Sequence, residues 1–143
     1  MTDFSKYIGI PYVRGGRSEE TGLDCWGLVI KFYWDEYGIF LPSYQSIDTS
    51  IDSIKDSSDK LLKSHSYRNF ERVPTSKQGD LILIRVGDHP IHIGIAIDDK
   101  NMLHAMEKAG SSVERFTGLR WKNRIESIHR YRTGEIQIGR AHV

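Results

Sequence analysis

The stretch TGLDCWGLVI, Thr21–Ile30, contains the only cysteine of the chain, at the point where a glycine-bearing loop runs into an apolar segment. From Asp24 to Tyr37, apolar and aromatic residues fall on nearly all sides of a helical wheel, which is typical of a buried central helix. Asp24 can cap this helix, which places Cys25 in its first turn. Gly38 supplies a stop for the same helix.

Length and composition limit the class of protein that contains this helix. The 143 residues predict a single domain, 1–143, large enough to bury a core without disulfides or a structural metal. The net charge of +1, from 20 basic and 19 acidic residues, gives no basic excess for binding nucleic acid. One cysteine excludes an intrachain disulfide. The first residues lack the pattern of a signal peptide, and no apolar stretch is long enough to span a bilayer, so we expect a soluble, unexported chain without a membrane partner.

Two polar segments interrupt the apolar pattern. The serine-rich range 43–70 carries apolar residues at helical spacing and predicts a polar, partly helical insertion; its stripe consists of Ile47, Ile51, Ile54 and Leu61. The insertion is expected either beside the active-site cleft as a lid or on the far side of the central helix. The end of the chain, 133–143, is expected to be a flexible tail.

From Asp80 onward the apolar period changes to two, which predicts a series of strands. The candidates are DLILIRV, IHIGIAI, NMLHAME, SSVERF and ESIHRYR, separated by short turns. In the second candidate the isoleucines point one way, whereas His92, Gly94 and Ala96 point the other. That second face is small enough for a helix terminus to approach it. Helices followed by an antiparallel sheet predict an α+β fold.

The thiol of Cys25 has two interpretations, a small buried core residue or a nucleophile. The unpaired N–H groups at a helix start favour a thiolate and can also stabilise an oxyanion. A cysteine nucleophile needs a base, and His92 is the candidate because its neighbours on the same face are very small. Among the other histidines, His65 and His142 are expected in solvent and His129 in a structural strand position.

The position of His104 depends on one turn. If Asp98–Lys100 forms a three-residue loop, Gly94 lies opposite His104, and His104 shares a face with His92. A two-residue loop would turn His104 to the other face. In the three-residue register, His104 can accept a hydrogen bond from His92 and fix its tautomer, which is the orienting role of a third triad member.

A metal site is the competing interpretation of these histidines. The sequence DHPIH offers Asp88, His89 and His92, with His104 further along. The odd spacing between His89 and His92 places their rings on opposite faces of a strand, and the cysteine would have no role in such a site. Two further features are expected to be structural: Phe116 and Trp121 are expected to fill the core rather than to line a groove. Arg14 and Arg17 are interpreted as solvated loop charges.

Four segments in this order resemble the NlpC/P60 family of papain-like cysteine peptidases, which cut cell-wall peptides. They are PYVRGG, GLDCWGLV, GDLILI with HIGIAID, and NMLHA, and they span Pro11–Ala105. The resemblance implies a compact α+β fold in which the nucleophile begins a helix packed on an antiparallel sheet. It implies Cys25 as nucleophile, His92 as base and His104 as orienting residue. We expect no cofactor and no metal.

The resemblance also implies a substrate. Family members act on peptidoglycan stem peptides, usually at the bond from γ-D-glutamyl to a diamino acid. It places the Tyr12 hydroxyl beside the thiol and assigns Asp24 and the residue after the cysteine to substrate or oxyanion binding. Here that residue is Trp26, where many cellular members have a small serine that helps to bind the free amino end of the stem peptide.

The tryptophan and the later segment YGIFLP make the chain similar to family members that are encoded with bacteriophage tails. This similarity implies a wall hydrolase of the tail tip or of tail assembly, located in the virion or in the host cytoplasm before assembly, with other tail-tip proteins as partners. Two alternatives remain open. One is a tail assembly protein of the same fold without turnover, and the other is a related papain-like amidase.

Overall fold

The computed structural model describes residues 2–42, 70–86 and 89–132, and of residues 89–91 it describes the backbone alone. Within these ranges one α-helix packs against a six-stranded antiparallel sheet, so the expected α+β class is confirmed. The elements are a 3-10 helix (Phe4–Tyr7), β1 (Arg17–Ser18), β2 (Gly22–Leu23), α1 (Cys25–Tyr37), β3 (Phe70–Val73), β4 (Leu81–Val86), β5 (His89–Ala96), β6 (Asn101–Met106), β7 (Gly110–Arg115), a second 3-10 helix (Lys122–Arg124) and β8 (Ile125–Tyr131). The strand order in the sheet is β3-β8-β4-β5-β6-β7.

Two of the predicted segments lie almost wholly outside the described residues. Of the insertion 43–70, only Phe70 is described, and it begins β3. The helix, the apolar stripe and the lid position predicted for this insertion therefore stay predictions. The flexible tail predicted at 133–143 and the single-domain assignment also stay predictions.

Helix α1 begins and ends where its capping residues predict. The Asp24 carboxylate accepts a hydrogen bond from the Gly27 N–H at 2.7 Å, which satisfies one of the unpaired donors of the first turn. At the other end, Gly38 adopts the left-handed conformation at φ 67°, and its N–H donates to the Trp34 carbonyl at 3.1 Å. Cys25 is therefore the first helical residue, as expected.

The sheet buries an apolar cluster on each face. One cluster joins α1 to the isoleucine face of β5; its members include Val29, Phe32, Ile93, Ile95 and Leu103. The other cluster covers the opposite face and includes Ile82, Ile84, Ala96, Met102, Phe116 and Trp121. Phe116 and Trp121 are thus core residues, as the sequence favoured.

The small face of β5 has a different neighbour from the one expected. Helix α1 packs on the isoleucine face, so the prediction that a helix terminus approaches the face of His92, Gly94 and Ala96 is wrong. A β-carbon at Gly94 would lie 2.8 Å from the Met102 sulfur. The absence of a side chain at Gly94 therefore makes room for Met102 from the neighbouring strand.

The β5–β6 hairpin has the register that the three-residue loop predicts. Ile95 pairs with Leu103, and the Ile97 N–H donates to the Asn101 carbonyl at 2.9 Å, which leaves Asp98–Lys100 as the loop. The Asp98 carboxylate closes the turn by accepting from the Asn101 N–H at 2.8 Å. His104 consequently lies on the same face as His92.

The sheet is irregular next to His92. The pairing of β4 with β5 shifts between Ile84 and Arg85, because Ile84 pairs with His92 whereas Arg85 pairs with Pro90. The pairing of β4 with β8 shifts between Leu83 and Ile84. Two bulges therefore meet at one level of the sheet. Bulges bend strands and re-aim side chains, and they are frequent beside active sites.

Glycines bring the loop before α1 into contact with the helix. A β-carbon at Gly27 would lie 2.3 Å from the Gly16 carbonyl oxygen, and one at Gly16 would lie 2.3 Å from the Gly22 carbonyl oxygen. Neither position can carry a side chain without displacing backbone. This packing holds the segment with Tyr12, which forms a parallel bridge to Leu23, against the first turn of α1.

Candidate active site

The Cys25 thiol lies between the start of α1 and strand β5. Cys25 is half-buried, and the backbone N–H groups of Trp26 and Ile93 lie close enough to its sulfur to favour the thiolate. Ile93 directly follows His92, so the nucleophile candidate and the base candidate are joined through one backbone segment. A direct hydrogen bond between the sulfur and the His92 ring stays a prediction.

Burial determines the protonation of the thiol. It raises the pKa of Cys25 to about 11, and the charge of Asp24 adds to the rise. The N–H groups of Ile93 and Trp26 and the Arg17 cation favour the thiolate, but they do not offset burial. The N–H groups at the helix start therefore favour the thiolate, as expected, but burial outweighs them and the pKa of Cys25 is raised. At neutral pH Cys25 is a thiol that needs a base to take its proton.

His92 and His104 are joined by a hydrogen bond between their rings. The distance from His92 Nε2 to His104 Nδ1 is 2.8 Å, and the ring centroids are 5.1 Å apart. The predicted contact between the two histidines on one face of the sheet is confirmed. Beyond His104 the chain of hydrogen bonds continues, because His104 Nε2 lies 2.6 Å from the Glu114 carboxylate.

The acceptor at the end of this chain determines the tautomer of both rings. Burial favours the neutral form of Glu114, but the hydrogen bond from His104, the nearby Trp121 indole and the Arg120 cation hold its pKa below the usual value. An ionised carboxylate only accepts, so His104 carries its proton at Nε2 and presents a lone pair at Nδ1. His92 Nε2 must then donate. The His92 lone pair is consequently at Nδ1.

Both rings are uncharged at neutral pH. Burial lowers the pKa of His92 to about 3, with contributions from His104 and the Arg124 cation. Burial also lowers the pKa of His104; Glu114 acts against this and Arg120 adds to it. A neutral His92 with a lone pair at Nδ1 has the protonation that a general base requires.

Trp121 packs against both histidine rings and restricts their orientation. Its indole is nearly parallel to His92, with the centroids 6.1 Å apart, and perpendicular to His104, with the centroids 5.3 Å apart. The guanidinium groups of Arg120 and Arg124 each lie 4.8 Å from the indole. The two rings therefore have little freedom to rotate away from their mutual hydrogen bond.

Tyr12 and Asp24 both lie close to Cys25. Burial raises the pKa of Tyr12 to about 12, and the nearby charges of Cys25 and Asp24 contribute. Asp24 is buried, and one of its oxygens accepts from both Gly27 N–H and Arg17 Nη1, each at 2.7 Å. The interpretation of Arg17 as a solvated loop charge is therefore wrong, because its side chain is 12% exposed and paired with Asp24.

Trp26 faces the protein interior. It is buried, and its indole N–H donates to the Pro42 carbonyl at 2.8 Å. The backbone N–H of Trp26, in contrast, lies beside the Cys25 sulfur and favours its thiolate. The substrate and oxyanion roles of Tyr12, Asp24 and Trp26 stay predictions.

The remaining candidates from the sequence are the competing metal site and His129. Within residues 2–42, 70–86 and 89–132, no group of three histidine, cysteine or acidic side chains is arranged to hold a metal ion. Asp88 and the His89 side chain, part of the competing metal site, lie outside the described residues. His129, expected as structural, is buried in β8 and hydrogen-bonds the Ser127 hydroxyl at 2.7 Å.

The sequence reasoning missed Glu114. His104 pairs with Ser112 across the β6–β7 hairpin, so Glu114 lies diagonal to His104 on the same face. The three residues 107–109 form the loop of this hairpin. The strand alternation that places His104 beside His92 also places Glu114 beside His104, one hairpin further along the chain.

A sequence model of the NlpC/P60 family matches residues 9–130, which include the site and most of the chain. The chain belongs to the NlpC/P60 family. This membership agrees with the resemblance carried by the four segments. In the described part of this NlpC/P60 chain, no helix has the length and apolarity that a membrane crossing requires.

Known relatives add a comparison at the level of individual proteins. The chain is 27% identical over 132 residues to the murein DD-endopeptidase MepS/murein LD-carboxypeptidase of Escherichia coli strain K12, covering 91% of this chain and 60% of that protein. It is 51% identical over 42 residues to the gamma-DL-glutamyl hydrolase of Bacillus subtilis strain 168, covering 29% of this chain and 10% of that protein. The chain therefore spans less than two thirds of either relative.

A solved structure supports the fold. An NlpC/P60 family protein of Bacillus cereus superposes with a TM-score of 0.62 at 23% identity, covering 87% of this chain and 36% of that chain. At this identity the likeness concerns the fold, with one helix on an antiparallel sheet.

Proposed function

We propose that this chain is a cysteine peptidase that hydrolyses peptide bonds in the stem peptides of bacterial peptidoglycan. The observation that carries the proposal is the His92–His104 hydrogen bond beside the first turn of α1, where Cys25 lies. Membership of the NlpC/P60 family supports it, as does the similarity to MepS, which is a murein endopeptidase.

The acylation step follows from the protonation states. His92 Nδ1 takes the Cys25 proton while the sulfur forms a bond to the scissile carbonyl carbon, and the carbonyl electron pair moves to the oxygen. When the carbonyl re-forms, the carbon–nitrogen bond breaks and the His92 imidazolium gives its proton to the leaving amine. His104 accepts the His92 Nε2–H throughout and keeps the ring in place.

Deacylation uses the same base. His92 Nδ1 takes a proton from water while the water oxygen attacks the thioester, and the carbon–sulfur bond then breaks. The departing thiolate of Cys25 regains the proton from His92. The oxyanion formed in each half-reaction would lie near the start of α1, where backbone N–H groups and the positive end of the helix dipole favour negative charge.

The bond that we propose is the one from γ-D-glutamyl to a diamino acid. Two arguments support it: the usual cleavage of the family that this chain resembles, and the local similarity to a gamma-DL-glutamyl hydrolase. Digestion of defined peptidoglycan fragments, followed by mass spectrometry, tests this assignment. Fragments cut after γ-D-glutamate support it; free lactyl-glycan and intact stem peptides would indicate an amidase instead.

For the biological setting, we propose a bacteriophage tail, with action at the tail tip or during tail assembly. The support is the DCWG and YGIFLP pattern, in which Trp26 replaces a small polar residue. The proposed location is the virion, with other tail-tip proteins as partners. Mass spectrometry of purified particles that carry the encoding genome tests this setting. Particles without the chain, at full infectivity, would refute it, and particles containing an inactive chain would favour a structural role.

A further inference from the structure

Glu114 bridges His104 to a cation. One of its carboxylate oxygens lies 2.6 Å from His104 Nε2, and the other accepts from Arg120 Nη1 at 2.9 Å. Arg120 in turn lies over the Trp121 indole. The carboxylate is therefore held from both sides, with its Oε2 directed at the second ring of the histidine pair.

We propose that Glu114 is a positioning residue, which acts through His104 to keep the basic nitrogen of His92 at Nδ1. The inference rests on the proposed peptidase activity, since it extends the catalytic chain from Cys25, His92 and His104 to a fourth member. Glu114 touches neither the nucleophile nor, in this scheme, the substrate. Its effect is on which nitrogen of each ring carries the proton.

The alternative tautomer shows why the acceptor matters. If His104 carried its proton at Nδ1, that N–H would face His92 Nε2, which would then have to accept. The proton of a neutral His92 would move to Nδ1, and the ring could not take the thiol proton there. An acid that fixes a histidine tautomer in this way contributes about 10⁴-fold to kcat in serine proteases, although there it contacts the base directly.

The charge of Glu114 has a second consequence. When His92 becomes an imidazolium, its hydrogen bond to His104 is charge-assisted, and the Glu114 carboxylate beyond His104 stabilises the same positive charge. Arg120 and Arg124, the cations that face this pair, act against it. Glu114 is thus the acidic group that compensates for two nearby cations on the face of the sheet occupied by the histidines.

The first experiment reads the tautomers directly. Two-dimensional ¹⁵N NMR of the full chain at neutral pH distinguishes Nε2–H from Nδ1–H imidazoles. We expect His92 and His104 both as Nε2–H in the wild type. In Glu114→Gln the side-chain amide has one acceptor oxygen for two donors, His104 Nε2–H and Arg120. We therefore expect this variant to reduce the Nε2–H form of His104. Glu126→Gln, which removes the acid of an exposed ion pair with Arg85, is the control and should leave both tautomers unchanged.

The second experiment separates positioning from structural support. Glu114→Gln should lower kcat about 10- to 100-fold, the range known for acidic partners of metal-binding histidines, with KM within about twofold. Glu126→Gln should match the wild type. Wild-type tautomers other than Nε2–H, unchanged tautomers in Glu114→Gln, or an unchanged kcat despite altered tautomers would each overturn the inference. A wild type that cleaves no peptidoglycan peptide refutes the proposed function instead, and the NMR result then still decides whether Glu114 sets the tautomers.

Discussion

His92 Nε2 lies 2.8 Å from His104 Nδ1, and this one hydrogen bond assigns different tasks to two histidines that the sequence separates by twelve residues. His104 can accept only while Glu114 holds its proton at Nε2. His92 therefore donates from Nε2 and has its lone pair at Nδ1. The direction of the bond distinguishes the base from the residue that orients it.

The two histidines should consequently respond differently to substitution. His92→Ala removes the base and should lower kcat by about 10³-fold or more. His104→Ala leaves the base in place and should cost less, because water can replace the lost acceptor. His104→Asn should recover part of the loss, since an amide oxygen can accept from His92 Nε2. Steady-state kinetics on a defined stem peptide measures all three, and a greater loss for His104→Ala than for His92→Ala would reverse the assignment.

Reaction of the thiol with iodoacetamide should report its raised pKa. Because the pKa of Cys25 is raised to about 11, the alkylation rate should keep rising above pH 9 and show no plateau at neutral pH. Asp24→Asn removes a negative charge next to the sulfur, so the profile of this variant should move to lower pH. A wild-type plateau between pH 5 and 8 would instead indicate a thiolate–imidazolium pair in the resting protein.

The neutral histidines should make the fold sensitive to acid. The pKa of His92 is about 3 in the folded chain, against 6.5 for an unperturbed histidine. Between pH 3 and pH 6.5 the unfolded chain therefore binds a proton at this residue that the folded chain does not bind. The stability contributed by a neutral His92 is complete above pH 6.5 and is lost as the pH falls, by up to about 1.4 kcal/mol per pH unit for one group. Urea denaturation between pH 4 and 7 measures this loss, and the slope should be shallower in His92→Gln. Equal slopes in the two proteins would contradict the assignment.

The buried pair of Asp24 and Arg17 should matter for stability. Asp24→Ala removes the helix cap, worth about 1 kcal/mol, and leaves Arg17 without its partner at 2.7 Å. We expect the free energy of unfolding to fall by more than the cap alone explains. Asp24→Asn can still cap the helix and should cost less. Glu126→Ala, which breaks an exposed pair, should change stability by less than about 1 kcal/mol. Equal losses in Asp24→Ala and Glu126→Ala would show that the buried pair adds nothing.

Local rules were enough to predict much of the fold. The caps Asp24 and Gly38 bounded α1 because each satisfies backbone groups that the helix itself cannot. The turn Asp98–Lys100 determined which face His104 occupies, because a strand alternates its side chains with a period of two. These predictions depend on residues close in sequence, and the structure confirms them.

Other properties depend on packing that is not local. The pKa of Cys25 is raised because the surrounding residues bury it, and this outweighs the helix start that the sequence displays. Arg17 is an ion-pair partner because glycines allow its loop to lie against α1. The neighbour of Gly94 is Met102 from another strand, which the alternation in β5 alone cannot identify. Burial and long-range packing decided these three features.

The measurement that tests the central claim most directly is cleavage of a defined stem peptide by the wild type and by Cys25→Ala and Cys25→Ser, with product masses and folding measured in parallel. We expect the wild type to release the γ-D-glutamyl fragment. Both variants should lose at least about 10³-fold in rate while keeping the circular dichroism and the melting temperature of the wild type, because the thiol is the nucleophile and not a support of the core. Full activity in a cleanly folded Cys25→Ala protein would contradict the account.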